Sequence, residues 1–294
     1  FDRTTKIETA QAAPAKHPFA DHRTSGKHCS ASRHARAAAR LPFGVVLSIV
    51  AVVPQPPLLV PELAAGAAAE VADLRQACVA AAGRLARVST RWIALGSDPA
   101  QRRHELSVHA EAGSFRGFGV DVRVGLTPRA ELQHADPDMP LPLLIAGWLR
   151  EHSDRSVAVT GRLVPLDLGT ADCTVLGAEL ATELAQGPEP TALLVLGDGA
   201  STHTARAPGY LDDRAGPFDE LVAKALATAD TGALLRLVPE LGDELGAVGR
   251  AAWQVLAAAV ERADAPPGWR GELLYSAAPY GVAYHVAVWD REHA

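Results

Sequence analysis

The residues able to do chemistry gather at places where apolar runs end. Gln55 lies in Pro54-Gln55-Pro56-Pro57, directly after the run that closes at Val53. Asp98 lies in Gly96-Ser97-Asp98-Pro99, and Asp198 and His203 share the segment Gly197-Asp198-Gly199-Ala200-Ser201-Thr202-His203 after Thr191–Leu196. Asp98 and His203 make the only plausible acid–base or metal pair on residue type alone. One imidazole and one carboxylate fall short of the two histidines and one carboxylate that mononuclear iron(II) takes. Asp198 stands between glycines, which is also ordinary turn chemistry. His203, between threonines in a glycine-flanked loop, is hard to place in a core and is the best single candidate for an acid–base or binding group. Glu244 supplies a further carboxylate, so a metal-assisted hydrolase built on Asp98, His203 and Glu244 is a second arrangement to test.

These residues need strands to position them. Val45–Val53 is apolar except for Ser48 and rich in β-branched residues, the pattern of a strand buried on both faces. The prolines that follow forbid helix and force a turn. A helical pattern starts near Glu62, and Ala67–Val88 carries Val71, Leu74, Cys78, Ala81 and Leu85 at three-to-four spacing. Arg91–Leu95, Leu106–His109, Val120–Val124, Ser156–Thr160, Thr191–Leu196, Glu272–Tyr275 and Val282–Trp289 read as strands. Residues 143–152, Val175–Gln186, Phe218–Ala229 and Asp243–Ala263 read as helices. Gln133–Pro142 is a proline-rich loop. Strands alternating with helices predict an α/β domain with a mainly parallel or mixed central sheet covered by helices on both faces. Ligands in such folds sit at the carboxyl ends of strands. That is where Gln55, Asp98 and the Asp198–His203 loop fall, so Gln55, Asp98 and His203 are expected to line one shared pocket.

The bulk composition excludes several classes. The 294 residues are 48% hydrophobic and 21% charged, with a net charge of −6. Nothing in the body suggests a nucleic-acid surface. No stretch reaches the roughly 18 apolar residues of a membrane span, so neither nucleic acid nor membrane is an expected partner. Cys29, Cys78 and Cys173 lie far apart with no CxxC, which argues against a disulfide framework and a thiolate zinc site. The excess of arginine over lysine and the abundance of alanine fit the coding bias of a GC-rich genome. No Walker-type cradle, GxGxxG or GxSxG is present.

Residues 1–40 differ from the rest. They hold Lys6, Lys16 and Lys27 and the histidines His17, His22, His28 and His34, with no sustained periodicity. A disordered or foreign leader is expected, followed by one domain over 41–294. Arg33–Arg40 with Leu41–Val53 also mimics a secretory signal, but that reading leaves the Pro-Gln-Pro-Pro turn unexplained. A cytoplasmic protein is expected.

Several segments together resemble the class III extradiol ring-cleavage dioxygenases, catalytic-subunit type, and the related Memo-like proteins. Val53-Pro54-Gln55-Pro56-Pro57-Leu58-Leu59-Val60-Pro61-Glu62 resembles the family's opening Pro-His-Pro-Pro motif. Gly113–Gly119 resembles its second-strand region, and Gly161–Leu166 its Asp-His-Gly-x-x-Val-Pro-Leu segment. Gly199–Asp219, with Ala207-Pro208-Gly209-Tyr210 and Phe218-Asp219, resembles its Ser-His loop and following helix. Pro279–Tyr284 resembles its closing strand.

In such enzymes two histidines and a glutamate hold iron(II), and a further histidine is the acid–base group. Carried over by position, the resemblance puts the first histidine ligand on Gln55, the second on Ser97-Asp98 and the glutamate on Ala247, with Glu244 one turn away. The Asp-His-Gly segment falls on Val159-Thr160-Gly161, which makes Thr160 a pocket residue. Only His203 matches a functional histidine. The resemblance therefore implies a member that has lost most iron ligands, with no cofactor expected, and that binds a small aromatic or carboxylate ligand or a partner, a second copy in a homo-oligomer included. The alternative is an active iron(II)-dependent ring-opening dioxygenase or hydrolase with unconventional ligands, among which Asp98, His203 and Glu244 are the candidates.

Overall fold

A computed structural model of the chain describes residues 47–64, 66, 69–98, 111–154, 156–186, 189–263 and 268–291, all within the compact unit Leu41–Ala294. The expected leader, the strand Leu106–His109 and residues 45–46 of the first strand lie outside the described residues.

The centre is a six-stranded mixed sheet in the order β5-β2-β6-β1-β8-β7. β1 (Leu47–Val53), β2 (Arg91–Ser97), β5 (Ala158–Val164) and β6 (Thr191–Leu196) run parallel. β8 (Tyr284–Arg291) pairs antiparallel with β1, and β7 (Trp269–Ala277) antiparallel with β8. β3 (Ala112–Ser114) and β4 (Arg123–Gly125) form a separate two-stranded ribbon. The chain is therefore α/β, with a closing antiparallel hairpin on an otherwise parallel sheet.

The continuous apolar runs behave as fully buried strands should. Every residue of β6 is buried, and so is every residue of β1 except Ser48. Successive β1 side chains alternate between two cores. Ile49, Ala51 and Val53 face one core with α2 (Ala72–Val88) and α3 (Leu141–Ser153), whereas Val50 and Val52 face the other with α4 (Thr170–Gln186), α5 (Ala215–Thr228) and α8 (Arg250–Ala263). Each buried valine or leucine contributes about 1.5–3 kcal/mol relative to exposure, so these two cores make the rigid platform for the strand ends. The expected apolar stripe of α2 is buried as Leu74, Cys78, Ala81 and Leu85. Trp148, Trp253 and Trp289 are buried core residues. The remaining helices are the short α1 (Pro61–Ala64), α6 (Thr231–Leu235) and α7 (Pro239–Glu244).

Several boundaries differ from the sequence reading. β5 runs over Ala158–Val164, past the end expected at Thr160. Ser97 is the last residue of β2, not part of a turn. α4 begins at Thr170 rather than Val175. The strand expected over Val120–Val124 is shorter and shifted, at Arg123–Gly125. The single helix expected over Asp243–Ala263 is two. Gly246 adopts φ 65°, a left-handed turn that ends α7, and α8 restarts at Arg250.

Candidate functional site

Three adjacent parallel strands deliver the site. The pairing puts Leu196 of β6 opposite both Val53 of β1 and Gly96 of β2. Gln55, Asp198 and Ser97 therefore leave the sheet within two residues of one line across it. The backbone N–H of Gly197 donates to Val53 O at 3.0 Å and that of Asp98 to Val164 O at 3.1 Å, which carries the ladders one step past the strands. Gln55, held between prolines, turns its backbone N–H onto Asp198 Oδ1 at 2.7 Å.

These ends open into a cavity of about 550 Å³ lined by Gln55, Ser97, Asp98 and Asp198 among others. Its apolar wall comes from Phe118, Met139, Leu141, Pro142, Leu166 and Val248, and Asp138 stands at its exposed rim. The Phe118 side is a 3-10 turn over Phe115–Phe118, capped when Ser114 Oγ accepts from the Arg116 N–H. Ser114 Oγ in turn donates to Asp121 Oδ1 at 3.0 Å, and Arg116 and Arg123 pair with the same carboxylate. Those cations hold Asp121 far below the usual carboxylate range. The Val248 side rests on a close backbone approach. A Cβ on Gly197 would lie 2.3 Å from Gly249 Cα, and Gly249 N–H donates to Asp198 O at 2.9 Å.

The electrostatics are acidic. Asp198 keeps a little accessible surface, and its carboxyl is deep in the molecule. Burial pushes its pKa up to about 7, against the pull of the Gln55 N–H. Cys78 on α2 and Tyr284 on β8 both feel its charge, and both are pushed up chiefly by their own burial. Gln55 Oε1 and Ser97 Oγ are buried without a hydrogen-bond partner.

His203 goes elsewhere. It is not among the residues lining the cavity. Its loop pairs with the closing hairpin and the α7 end, through His203 N–H to Gly281 O at 3.1 Å and Ser201 N–H to Leu245 O at 2.8 Å. His203 Nε2 lies 2.6 Å from Asp219 Oδ2, and His285 Nε2 lies 3.1 Å from Asp219 Oδ1. A carboxylate only accepts, so both imidazoles carry a proton on Nε2. The Ala200 N–H reaches both Asp219 oxygens at 3.2 and 3.3 Å, and Ser276 Oγ meets His285 Nδ1 at 2.9 Å. The result is a buried carboxylate shared by two histidines, with one edge of His203 toward solvent.

The residues singled out in the sequence thus separate into groups. Gln55, Asp98 and Asp198 share the cavity. Thr160 does not line it. It sits in mid-strand opposite Ile93, four residues before the strand end, and its expected pocket place is corrected on that account. Glu244 ends α7 at the surface and pairs with Arg214 at 2.7 Å. Asp98, His203 and Glu244 are therefore not brought together, and the hydrolase arrangement loses its geometry. Ala247 is buried, and its neighbour Val248 lines the cavity. Asp219 and His285 went unremarked as site residues. Asp219 opens a helical pattern, and His285 lies inside a strand.

Iron(II) does not fit the donors that the described residues present. Among them the cavity lining offers an amide, a hydroxyl and carboxylates but no imidazole, and one of those carboxylates is engaged by the Gln55 N–H. Among the described residues, no group of three histidine, cysteine or carboxylate side chains is placed to hold a metal ion. Among them, no helix is long and apolar enough to cross a membrane.

No family model matches this chain, and no curated protein matches it. Among solved structures it is similar to an uncharacterized protein, JW3007, from Escherichia coli K12, at 10% identity and a TM-score of 0.43, over 83% of this chain and 99% of that one. A likeness of that size bears on no point of function.

Proposed function

We propose that the chain is a small-molecule-binding relative of the class III extradiol dioxygenases that has lost the iron-holding set and acts by binding, not by ring cleavage. The observation that carries this reading is the cavity itself. Gln55 and Asp98, the positions where the resemblance puts histidine ligands, line one cavity of about 550 Å³ at the carboxyl ends of parallel strands. That size is ordinary for a small-molecule site. Neither side chain replaces imidazole at iron, because an amide carbonyl is neutral and a lone carboxylate cannot complete a three-ligand face. The apolar wall of Phe118, Met139 and Leu166 suits an aromatic body. A cytoplasmic setting agrees with Cys78 and Cys173 as free, buried thiols.

The test is anaerobic reconstitution with iron(II), followed by metal analysis and assay on protocatechuate and simple catechols. The expected result is substoichiometric iron and no ring opening above the free-iron control. One equivalent of retained iron with yellow ring-opened product would overturn the reading.

A further inference from the structure

Three residues that line the cavity carry acceptors with fewer partners than they can take. Gln55 is 7% exposed and Ser97 1% exposed, yet Gln55 Oε1 and Ser97 Oγ have no hydrogen-bond partner. Buried polar side chains are nearly always paired, and each exception asks for an explanation. Of such atoms in the described residues, these two line the same cavity and lie on either side of the same residue, Asp198. Its carboxylate accepts the Gln55 backbone N–H through Oδ1, and Oδ2 has no partner among the described residues.

The charge decides what completes the set. Among the described residues lining the cavity there is no lysine, arginine or histidine, and Asp98 and Asp138 add two more carboxylates to that of Asp198. A carboxylate ligand would bring like charges together where water screens poorly. Asp198 ionises near neutrality, and a neutral ligand would leave its carboxylate form without a counter-ion. An ammonium group supplies the counter-ion and three N–H donors with no acceptor, which matches the acceptors of Asp198, Gln55 and Ser97. The remaining wall is apolar, so the rest of the ligand must be too.

We propose that the cavity binds a primary ammonium group carried on an aromatic body, with the nitrogen against Asp198, Gln55 Oε1 and Ser97 Oγ. This rests on the small-molecule-binding reading above and names its ligand class. It selects the aromatic side of the sequence expectation and turns away from a carboxylate ligand.

The experiment is calorimetric titration of the full chain with three matched probes: tryptamine, tryptophol and indole-3-acetate. Tryptamine is expected to bind about tenfold tighter than tryptophol or more, the range of a charge-assisted hydrogen bond, and indole-3-acetate weakest. Asp198→Asn keeps an acceptor for the Gln55 N–H and should remove most of the preference for tryptamine. Val248→Trp, which fills the cavity, should abolish binding of all three. Tryptophol or indole-3-acetate binding as tightly as tryptamine overturns the proposal. If tryptophol binds, is lost in Val248→Trp, and tryptamine gains nothing, the cavity reading stands and the ammonium proposal falls. If none of the probes binds, both fall. Should Asp198→Asn fail to fold, the ranking in the unmodified protein decides.

Discussion

Gln55 and Asp198 stand 143 residues apart in the chain and are joined by a 2.7 Å hydrogen bond from the Gln55 backbone N–H to Asp198 Oδ1. That contact locks the turn after β1 to the turn after β6. It also uses up one oxygen of the acid on which the site's charge depends.

Asp198 should make stability fall with rising pH. Burial raises its pKa from the ordinary 3.8 to about 7. The folded state therefore holds a proton that the unfolded chain releases. Stability from that proton is fully present below 3.8 and is lost as pH rises through about 7. Asp198→Asn should flatten this dependence and stabilise the protein at pH 8 by at most about 4 kcal/mol. Urea denaturation of both proteins at pH 5 and pH 8 measures it. An Asn variant less stable than its parent at pH 8 would contradict this.

Asp219 should be among the costliest polar residues to remove. Asp219→Ala strands His203, His285 and the Ala200 N–H together. Leaving a buried donor without its acceptor costs about 1–3 kcal/mol each, and three donors lose theirs here. His203→Ala, at the solvent edge, should cost roughly 1–2 kcal/mol. Equal losses for the two variants in equilibrium unfolding would mean that His203 is the organiser instead.

Arg250 is 1% exposed and ties α8 to the segment beside the cavity. It donates to the carbonyls of Leu166 and Leu168 and to Asp243. Arg250→Lys cannot reproduce that planar fork. It should destabilise by about 2–3 kcal/mol and, because Leu166 lines the cavity, weaken tryptamine binding. Full-strength binding in this variant would show that the Leu166 wall is held by other contacts.

Gly197→Ala tests the backbone contact under the site. Its new methyl meets Gly249 Cα at 2.3 Å, which is main chain and cannot swing aside. A loss of about 2–4 kcal/mol is expected, read as a lower denaturation midpoint. A neutral effect would mean that the two loops separate freely.

The resemblance has its own test in Gln55→His, Asp98→His and Ala247→Glu combined. With three ligands on one face, iron(II) retention after dialysis against a chelator should rise at least about tenfold. No gain would show that these positions are not equivalent to the family's ligands.

Much of the fold is legible because its strands are extreme. β1 is rich in β-branched residues, β6 is a short run of mainly leucine and valine, neither has a polar face, and α2 shows a clean three-to-four stripe. What stayed hidden was decided by contacts rather than by pattern. The strand expected to stop at Thr160 continues through Gly161, which pairs with Ala94. The α7–α8 region has unbroken helical periodicity, and the turn at Gly246 shows only in its backbone angle. The cavity positions of Gln55, Asp98 and Asp198 follow from strand ends, which sequence can locate. His203 looked like their companion because its loop starts at the same strand. Hydrogen bonds from that loop to Gly281 and Leu245 instead carry it to Asp219, and neither partner could be read from spacing.

The most direct measurement is tryptamine binding in excess EDTA, compared between the unmodified protein and Val248→Trp. The account predicts one saturable site that needs no metal and disappears when the cavity is filled. Binding that requires added iron, or that survives Val248→Trp unchanged, would contradict it.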